Sequence, residues 1–203
     1  MHQLRNEVIN LEFDEMGNLS RICSTDGEVR VPIEPDGVTG PFEIQLRDAS
    51  GDVVYVRPDR APDISLSRDG NQQLLTLKWQ TEGDWGELSV EGTVRLPEDS
   101  SLSYWSLAIT NKTERAIFQA TFPRVSGLCD YDADTPGWLA VPVMMGDKTP
   151  QPVSFVNQHQ PVIDNWARHQ FGAFDIEGGP ADIAYAYPGY MTMQFIAYGH
   201  PET

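Results

Sequence analysis

Gln73-Leu-Leu-Thr-Leu-Lys-Trp-Gln80 and, seven residues later, Glu87-Leu-Ser-Val-Glu-Gly-Thr-Val-Arg-Leu96 decide the fold. On an extended chain Leu75, Leu77 and Trp79 fall on one side, and Thr76, Lys78 and Gln80 on the other. Leu88, Val90, Val94 and Leu96 repeat the pattern against Glu87, Ser89, Glu91, Thr93 and Arg95. A period of two is that of a half-buried strand; an amphipathic helix needs 3.6. Trp105, Leu107 and Ile109 make the next inward face, Thr110 to Arg115 is a connection, and Ile117 to Val125 runs back. Successive strands that each bury one face need a second layer. The sequence therefore predicts an all-β, antiparallel sandwich of two sheets, with 73–80, 87–96, 103–111 and 116–125 at its heart.

Towards the N-terminus the same alternation gives hairpins. Val8 to Phe13 runs into the turn residues Glu15-Met-Gly-Asn18, and Leu19 to Cys23 returns. Phe42 to Arg47 and Val53 to Arg57 flank Asp48-Ala-Ser-Gly-Asp52, and Ile64 to Ser67 precedes Asp69-Gly-Asn71. Gly, Asn and Asp are placed there by backbone demands, since they tolerate the left-handed conformations of tight turns. From Ser126 the texture changes. Asp130 to Asp134 and Lys148 to Val153 read as loop, Gly137 to Val143 as a short apolar strand, and Val162 to His169 as one helical turn or an irregular loop. Long connections of this kind in a compact domain are often functional or form interfaces. The expectation is one domain over 1–203, with a core at 1–125, a loop-rich segment at 126–180 and terminal strands at 181–198.

Near the C-terminus, Pro188-Gly189 separates Ile183 to Tyr187 from an alternating run, Met191 to Tyr198, after which Gly199 and Pro201 signal another turn. Such a strand needs a partner. Either an earlier strand pairs with it, or the natural polypeptide continues beyond Thr203.

The chain has 203 residues and a formal net charge of -16, which argues against nucleic acid or an anionic membrane surface as partner. Its acidic residues are dispersed, as expected of surface charge that promotes solubility. Cys23 and Cys129 lie far apart without metal-ligand spacing, and each is expected to act as a small buried apolar residue. The opening Met-His-Gln-Leu-Arg-Asn-Glu-Val lacks an apolar signal core, and no later stretch is long enough to span a bilayer, so the expectation is a soluble, cytoplasmic protein.

Reactive chemistry finds few anchors. Acid–base chemistry by carboxyl groups needs a particular pair held in a set geometry. Thirty acidic residues supply chance pairs without singling one out. Asp130, Asp132 and Asp134 lack the glycine and terminal glutamate of an EF-hand loop and read as a solvated loop. His2, His159, His169 and His200 show no zinc motif, and Ser126 and Ser154 lack the flanking glycines of a nucleophile elbow. No cofactor and no metal are expected. Asn111-Lys-Thr113 matches a glycosylation acceptor in form but reads as turn chemistry. Trp79 and Trp105 follow strand alternation and belong to the core.

Several segments in fixed order resemble the N-terminal β-sandwich domain of large bacterial glycoside hydrolases, whose sandwich precedes a (β/α)-barrel. Leu11-Glu-Phe-Asp-Glu-Met-Gly-Asn-Leu19 is similar to their opening hairpin. Trp105 to Asn111 with Phe122-Pro-Arg-Val-Ser-Gly127 resembles their paired strands, and Gly137-Trp-Leu-Ala-Val-Pro142 with Gly146 a later segment. Tyr187-Pro-Gly-Tyr-Met-Thr-Met-Gln-Phe195 is the most specific piece. The resemblance covers nearly the whole chain and implies a supersandwich of the galactose-mutarotase type. It also implies a continuation into a hairpin partner and the barrel that carries the catalytic carboxylates, none of which maps onto a residue here.

A sandwich made to dock on a barrel must present apolar surface. Trp138, Trp166, Tyr187 and Tyr190 are accordingly expected as interdomain contacts ahead of direct carbohydrate contacts, as is Trp85. Gln194 is expected to hydrogen-bond a neighbouring loop ahead of a sugar hydroxyl. The leading expectation is thus a non-catalytic domain of a carbohydrate-active glycoside hydrolase, whose partners are carbohydrate and a barrel of the same polypeptide. A free-standing carbohydrate-binding module is the alternative, and a mutarotase-like epimerase ranks last because no paired His and Glu stands out.

Overall fold

The computed structural model describes residues 1–27, 30–31, 33, 40–125, 127, 138–141, 147–150 and 197–199. The strands are β1 (His2–Arg5), β2 (Ile9–Phe13), β3 (Leu19–Ser24), β4 (Arg30–Val31), β5 (Glu43–Arg47), β6 (Val53–Val56) and β7 (Asp63–Asp69). They continue with β8 (Gln72–Gly83), β9 (Gly86–Pro97), β10 (Tyr104–Asn111), β11 (Ala116–Thr121), β12 (Trp138–Val141), β13 (Asp147–Pro150) and β14 (Ala197–Gly199). All pairings among them are antiparallel, and the protein is all-β as expected. The chain divides into two compact units, Met1–Gly127 and Leu128–Thr203.

In the first unit the sheets are β1-β2-β3-β4, β10-β9-β8-β7 and β11-β5-β6. The central sheet carries the two stretches that announce the fold. Its register places Leu75 beside Val94 and Leu77 beside Gly92, with Trp79 beside Val90; Trp105, Leu107 and Ile109 continue these rows on β10. Leu75, Leu77, Trp79, Leu88, Val90, Val94 and Leu96 are all buried, whereas Lys78, Gln80 and Arg95 on the opposite face are exposed.

The second layer of the sandwich closes on this face through aromatic contacts. Phe42, just before β5, meets Trp79 edge-on with centroids 5.1 Å apart. Phe13 of β2 lies 5.7 Å from Trp105, and Phe122 after β11 lies 5.8 Å from the same indole. Two glycines make this approach possible. A Cβ at Gly92 would sit 3.1 Å from the Phe122 ring, and one at Gly17 would sit 3.1 Å from the Trp79 ring, where a φ of +84° also favours glycine.

The first hairpin is built on Asp14, whose Oδ1 accepts from the Met16 and Asn18 amides at 2.9 and 2.8 Å, an Asx turn that returns the chain into β3. Between β1 and β2, Asn6 is buried and uses both ends of its amide. Its Oδ1 accepts from Val8 and Ile9 N–H at 2.8 Å each, and its Nδ2 donates to the carbonyls of Pro97 and Ser100 at 2.5 and 2.7 Å. That side chain ties the first sheet to the β9–β10 connection. Gln73 adds a second tie, accepting from Arg5 N–H at 3.3 Å and donating to the Arg5 carbonyl.

Differences from the sequence reading lie at short or irregular segments. β11 ends at Thr121 instead of Val125, and its register slips between Ile117 and Gln119. β1 and β4 have no counterpart in the sequence reading, because strands of four and two residues are too short to show a period. In the second unit β12 pairs with both β13 and β14. Lys148 to Pro150, within β13, is therefore strand where the sequence reads as loop, since Pro150 and a lysine obscure any alternation. Tyr198 pairs with Leu139, so an earlier strand does pair with this end of the terminal run.

Burial predicts a sharp contrast between adjacent residues of β8. Leu77→Ala is expected to lose about 2–5 kcal/mol in urea unfolding, as for other buried leucines, and Lys78→Ala to stay within about 0.5 kcal/mol of wild type. The β5–β6 turn gives a pH signature. The Ser50 hydroxyl, the Asp52 and Ser50 amides and the Arg115 guanidinium hold the Asp48 carboxyl below its ordinary value. A depressed folded-state value contributes stability that is present above the unfolded value, about 3.9, and is lost as pH falls through the folded one. Asp48→Asn is expected to flatten that acid limb of the stability–pH curve while leaving the curve near neutrality parallel to wild type.

Candidate functional site

Among the described residues of the first unit, β5 is where ionisable chemistry is drawn inside. Ile44 and Leu46 face the core, but Glu43 and Gln45, on the other face, are also buried at 8% and 5% exposure. Glu43 is held by two arginines. Arg57, just past β6, brings Nε and one terminal nitrogen to Oε2, each at 2.7 Å, and Arg124 brings a terminal nitrogen to the same oxygen at 3.4 Å. The Arg124 amide also donates to the Pro41 carbonyl at 2.8 Å.

Local sequence explains the arrangement. β5 places Glu43 opposite Thr121, the last residue of β11, so a chain leaving β11 passes over the start of β5. Arg124 is three residues on. Pairing of β5 with β6 sets Ile44 against Val56, so Arg57 lies beside Glu43 on the other flank. The carboxylate thus clamps both neighbouring strands of its sheet where they leave the ladder. Arg57 is 39% exposed at its side chain and Arg124 only 13%. Two guanidiniums converging on one carboxylate oxygen fix position and register through charge-assisted hydrogen bonds. The arrangement is that of a structural clamp.

Sequence alone does not single out Glu43 and Arg124. In Phe42-Glu-Ile-Gln-Leu46 the alternation marks Glu43 and Gln45 as outward, and nothing in a period of two distinguishes an outward face in water from one that is covered. The only signal of a buried ion pair is an acidic residue in an apolar strand together with an arginine directly after a strand end.

Of the expected contact residues, Trp138 opens β12, opposite Pro150 and Gly199. Trp166, Tyr187, Tyr190 and Gln194 lie outside the described residues, as do Asp130, Asp132, Asp134, Ser126, Ser154, Cys129, His159, His169 and His200. Trp85 sits half-buried in the β8–β9 turn, folded back over Gly83. Trp79 is buried and Trp105 half-buried, both in the core contacts described above. Cys23 is buried, on β3 opposite Asn10. The Asn111-Lys-Thr113 segment works as a turn. Asn111 Oδ1 accepts from the Thr113 amide at 2.9 Å, and its Nδ2 donates to the Arg115 carbonyl at 2.8 Å.

Among the described residues no group of three or more His, Cys, Asp or Glu side chains is gathered in a way that would hold a metal ion. No helix among them is long and apolar enough to cross a membrane. No family model matches the chain, and no curated protein matches it.

Removing the carboxylate would leave two guanidiniums facing each other, one of them largely buried. Glu43→Gln is expected to cost about 3–5 kcal/mol, the range for breaking a buried pair from one side. Arg57→Ala leaves the carboxylate with the 3.4 Å contact from Arg124 and is expected to cost about 1.5–3 kcal/mol, the range for a hydrogen bond to a charged group. Urea unfolding of both variants reads the difference.

Proposed function

We propose that the sandwich is a non-catalytic support domain of a larger carbohydrate-active polypeptide of glycoside hydrolase type, packing on a catalytic barrel and helping to shape its cleft. One observation carries this reading. Two of the segments through which the sequence resembles such domains, 11–19 and 105–111 with 122–127, are far apart in the chain yet pack together in the first unit. Phe13 from the first and Phe122 from the end of the paired strands both pack against Trp105. Arg124, two residues after Phe122, is the less exposed of the two arginines that hold Glu43. These two segments contribute framework residues, which supports a structural role for the domain. Carbohydrate is the expected ligand of the whole polypeptide, with the sandwich contributing an edge of its cleft.

Two measurements test the proposal together. The purified 203-residue chain, offered a panel of aryl glycosides and oligosaccharides, is expected to give no turnover. An antibody raised against it is expected to detect a polypeptide much larger than this chain in the source cells. Turnover that co-purifies with the chain through successive columns would overturn the support role. A band at the size of the chain itself, together with saturable glycan binding that Trp138→Ala weakens, would replace it with a free-standing carbohydrate-binding module.

A further inference from the structure

Among the described residues β10 is an edge strand of the central sheet, bonded only to β9. Its backbone groups can be assigned a direction. Lys112 N–H donates to the Glu87 carbonyl at 3.1 Å, and in an antiparallel ladder the bonded pairs alternate. Thr110, Ala108, Ser106 and Tyr104 therefore turn their N–H and C=O groups toward β9. Ile109, Leu107 and Trp105 turn theirs away from the sheet.

A free edge invites another strand, and proteins usually blunt such edges with charge, proline or a bulge. Among the described residues β7 and β11 also lie at sheet edges and carry such devices, whereas the four-residue β6 does not. β7, at the opposite end of the same sheet, has Asp63, Arg68 and Asp69, and β11 has its register slip at Phe118. β10, Tyr104-Trp-Ser-Leu-Ala-Ile-Thr-Asn111, has no charge, no proline, no glycine and an unbroken register over all eight residues.

The strand is also complementary to itself. A two-fold axis perpendicular to the sheet pairs residues of like parity, so a copy centred on Leu107 sets Leu107 against Leu107 and Trp105 against Ile109. These are the residues whose backbone groups point outward, so each such pair closes with hydrogen bonds. On the other face Ser106 meets Ala108 and Tyr104 meets Thr110. Apolar opposes apolar and uncharged polar or small opposes its like at every position. The same operation on β7 centred on Leu66 would oppose Asp63 to Asp69 twice, a like-charge contact that disfavours it.

We propose that β10 is a homodimerisation edge, through which two copies of this chain join their central sheets about a two-fold axis at Leu107. The contact is isologous and closes at two copies. Because each copy carries a net charge of -16, association strengthens as salt screens their repulsion. This inference is independent of the carbohydrate reading.

Sedimentation equilibrium of the 203-residue chain is expected to show a concentration-dependent species of twice its mass, favoured at higher salt. Ser106→Lys with Ala108→Lys places like charges directly across the axis and is expected to weaken association about tenfold. Ser106→Glu with Ala108→Lys places opposite charges across it and is expected to restore association. Both positions are exposed, and thermal unfolding of each variant checks the fold. Amide exchange gives a reading without substitution: the N–H groups of Trp105, Leu107 and Ile109 should be protected in concentrated protein and exchange freely on dilution. A chain that stays monomeric at every concentration and salt overturns the proposal. So does equal association of the two charge variants, or protection of those three amides that is unaffected by dilution.

Discussion

Burial of the odd-numbered face of β8 constrains everything else in the first unit. Leu75, Leu77 and Trp79 are excluded from water, and removing side chains of this size from water contributes about 1.5–3 kcal/mol each. To realise that gain the neighbouring strands must present apolar rows in the same register, which β9 does at Val90 and Val94. The opposing layer must then reach the tryptophan ring. That requirement explains why Gly17 and Gly92 occur where they do: Gly17 faces the Trp79 ring and Gly92 the Phe122 ring, and a side chain at either would crowd the contact between layers.

The strands with a period of two are legible because only one of their faces is wet. β8, β9 and the hairpin of β2 and β3 can be placed within a few residues for this reason. β5 is recognisable as a strand, but its pattern suggests one wet face. Its second face is buried through Glu43 and Gln45, and the hydropathy of those residues points the other way. Asn6 is equally invisible. Its role as a four-bond junction depends on the carbonyls of Pro97 and Ser100, more than 90 positions away, and no local pattern encodes a partner at that distance. Turn chemistry is readable because it is local: Asp14, Asp48 and Asn111 each bond to backbone within four residues.

The site is less legible than the fold. Trp138, Trp166, Tyr187, Tyr190 and Gln194 stand out because aromatic and amide side chains near turns suit sugar faces and domain interfaces alike, and composition cannot separate the two. The ionic clamp at Glu43 does not show in the sequence because its arginines lie 14 and 81 positions away. Sequence periodicity reports on the strand a residue occupies. It is silent on which strand ends converge, and a buried ion pair is a property of converging ends.

Charge in this protein acts at two levels that differ in strength. Lys78 with Glu91, Lys112 with Glu87 and Arg68 with Glu98 are pairs on open faces, with side chains about half exposed. Each is worth at most about 1 kcal/mol, so they tune the surface without determining the fold. Glu43 with Arg124 is different, because neither group is well solvated and each would be costly to leave alone. The large acidic surplus belongs to the first level. It governs how copies of the chain approach one another through solvent, and it is absent from β10, where the backbone itself offers the contact. Fold and association are thus set by separate residues: the inner rows and the clamp for one, the outer charges and an uncharged edge for the other.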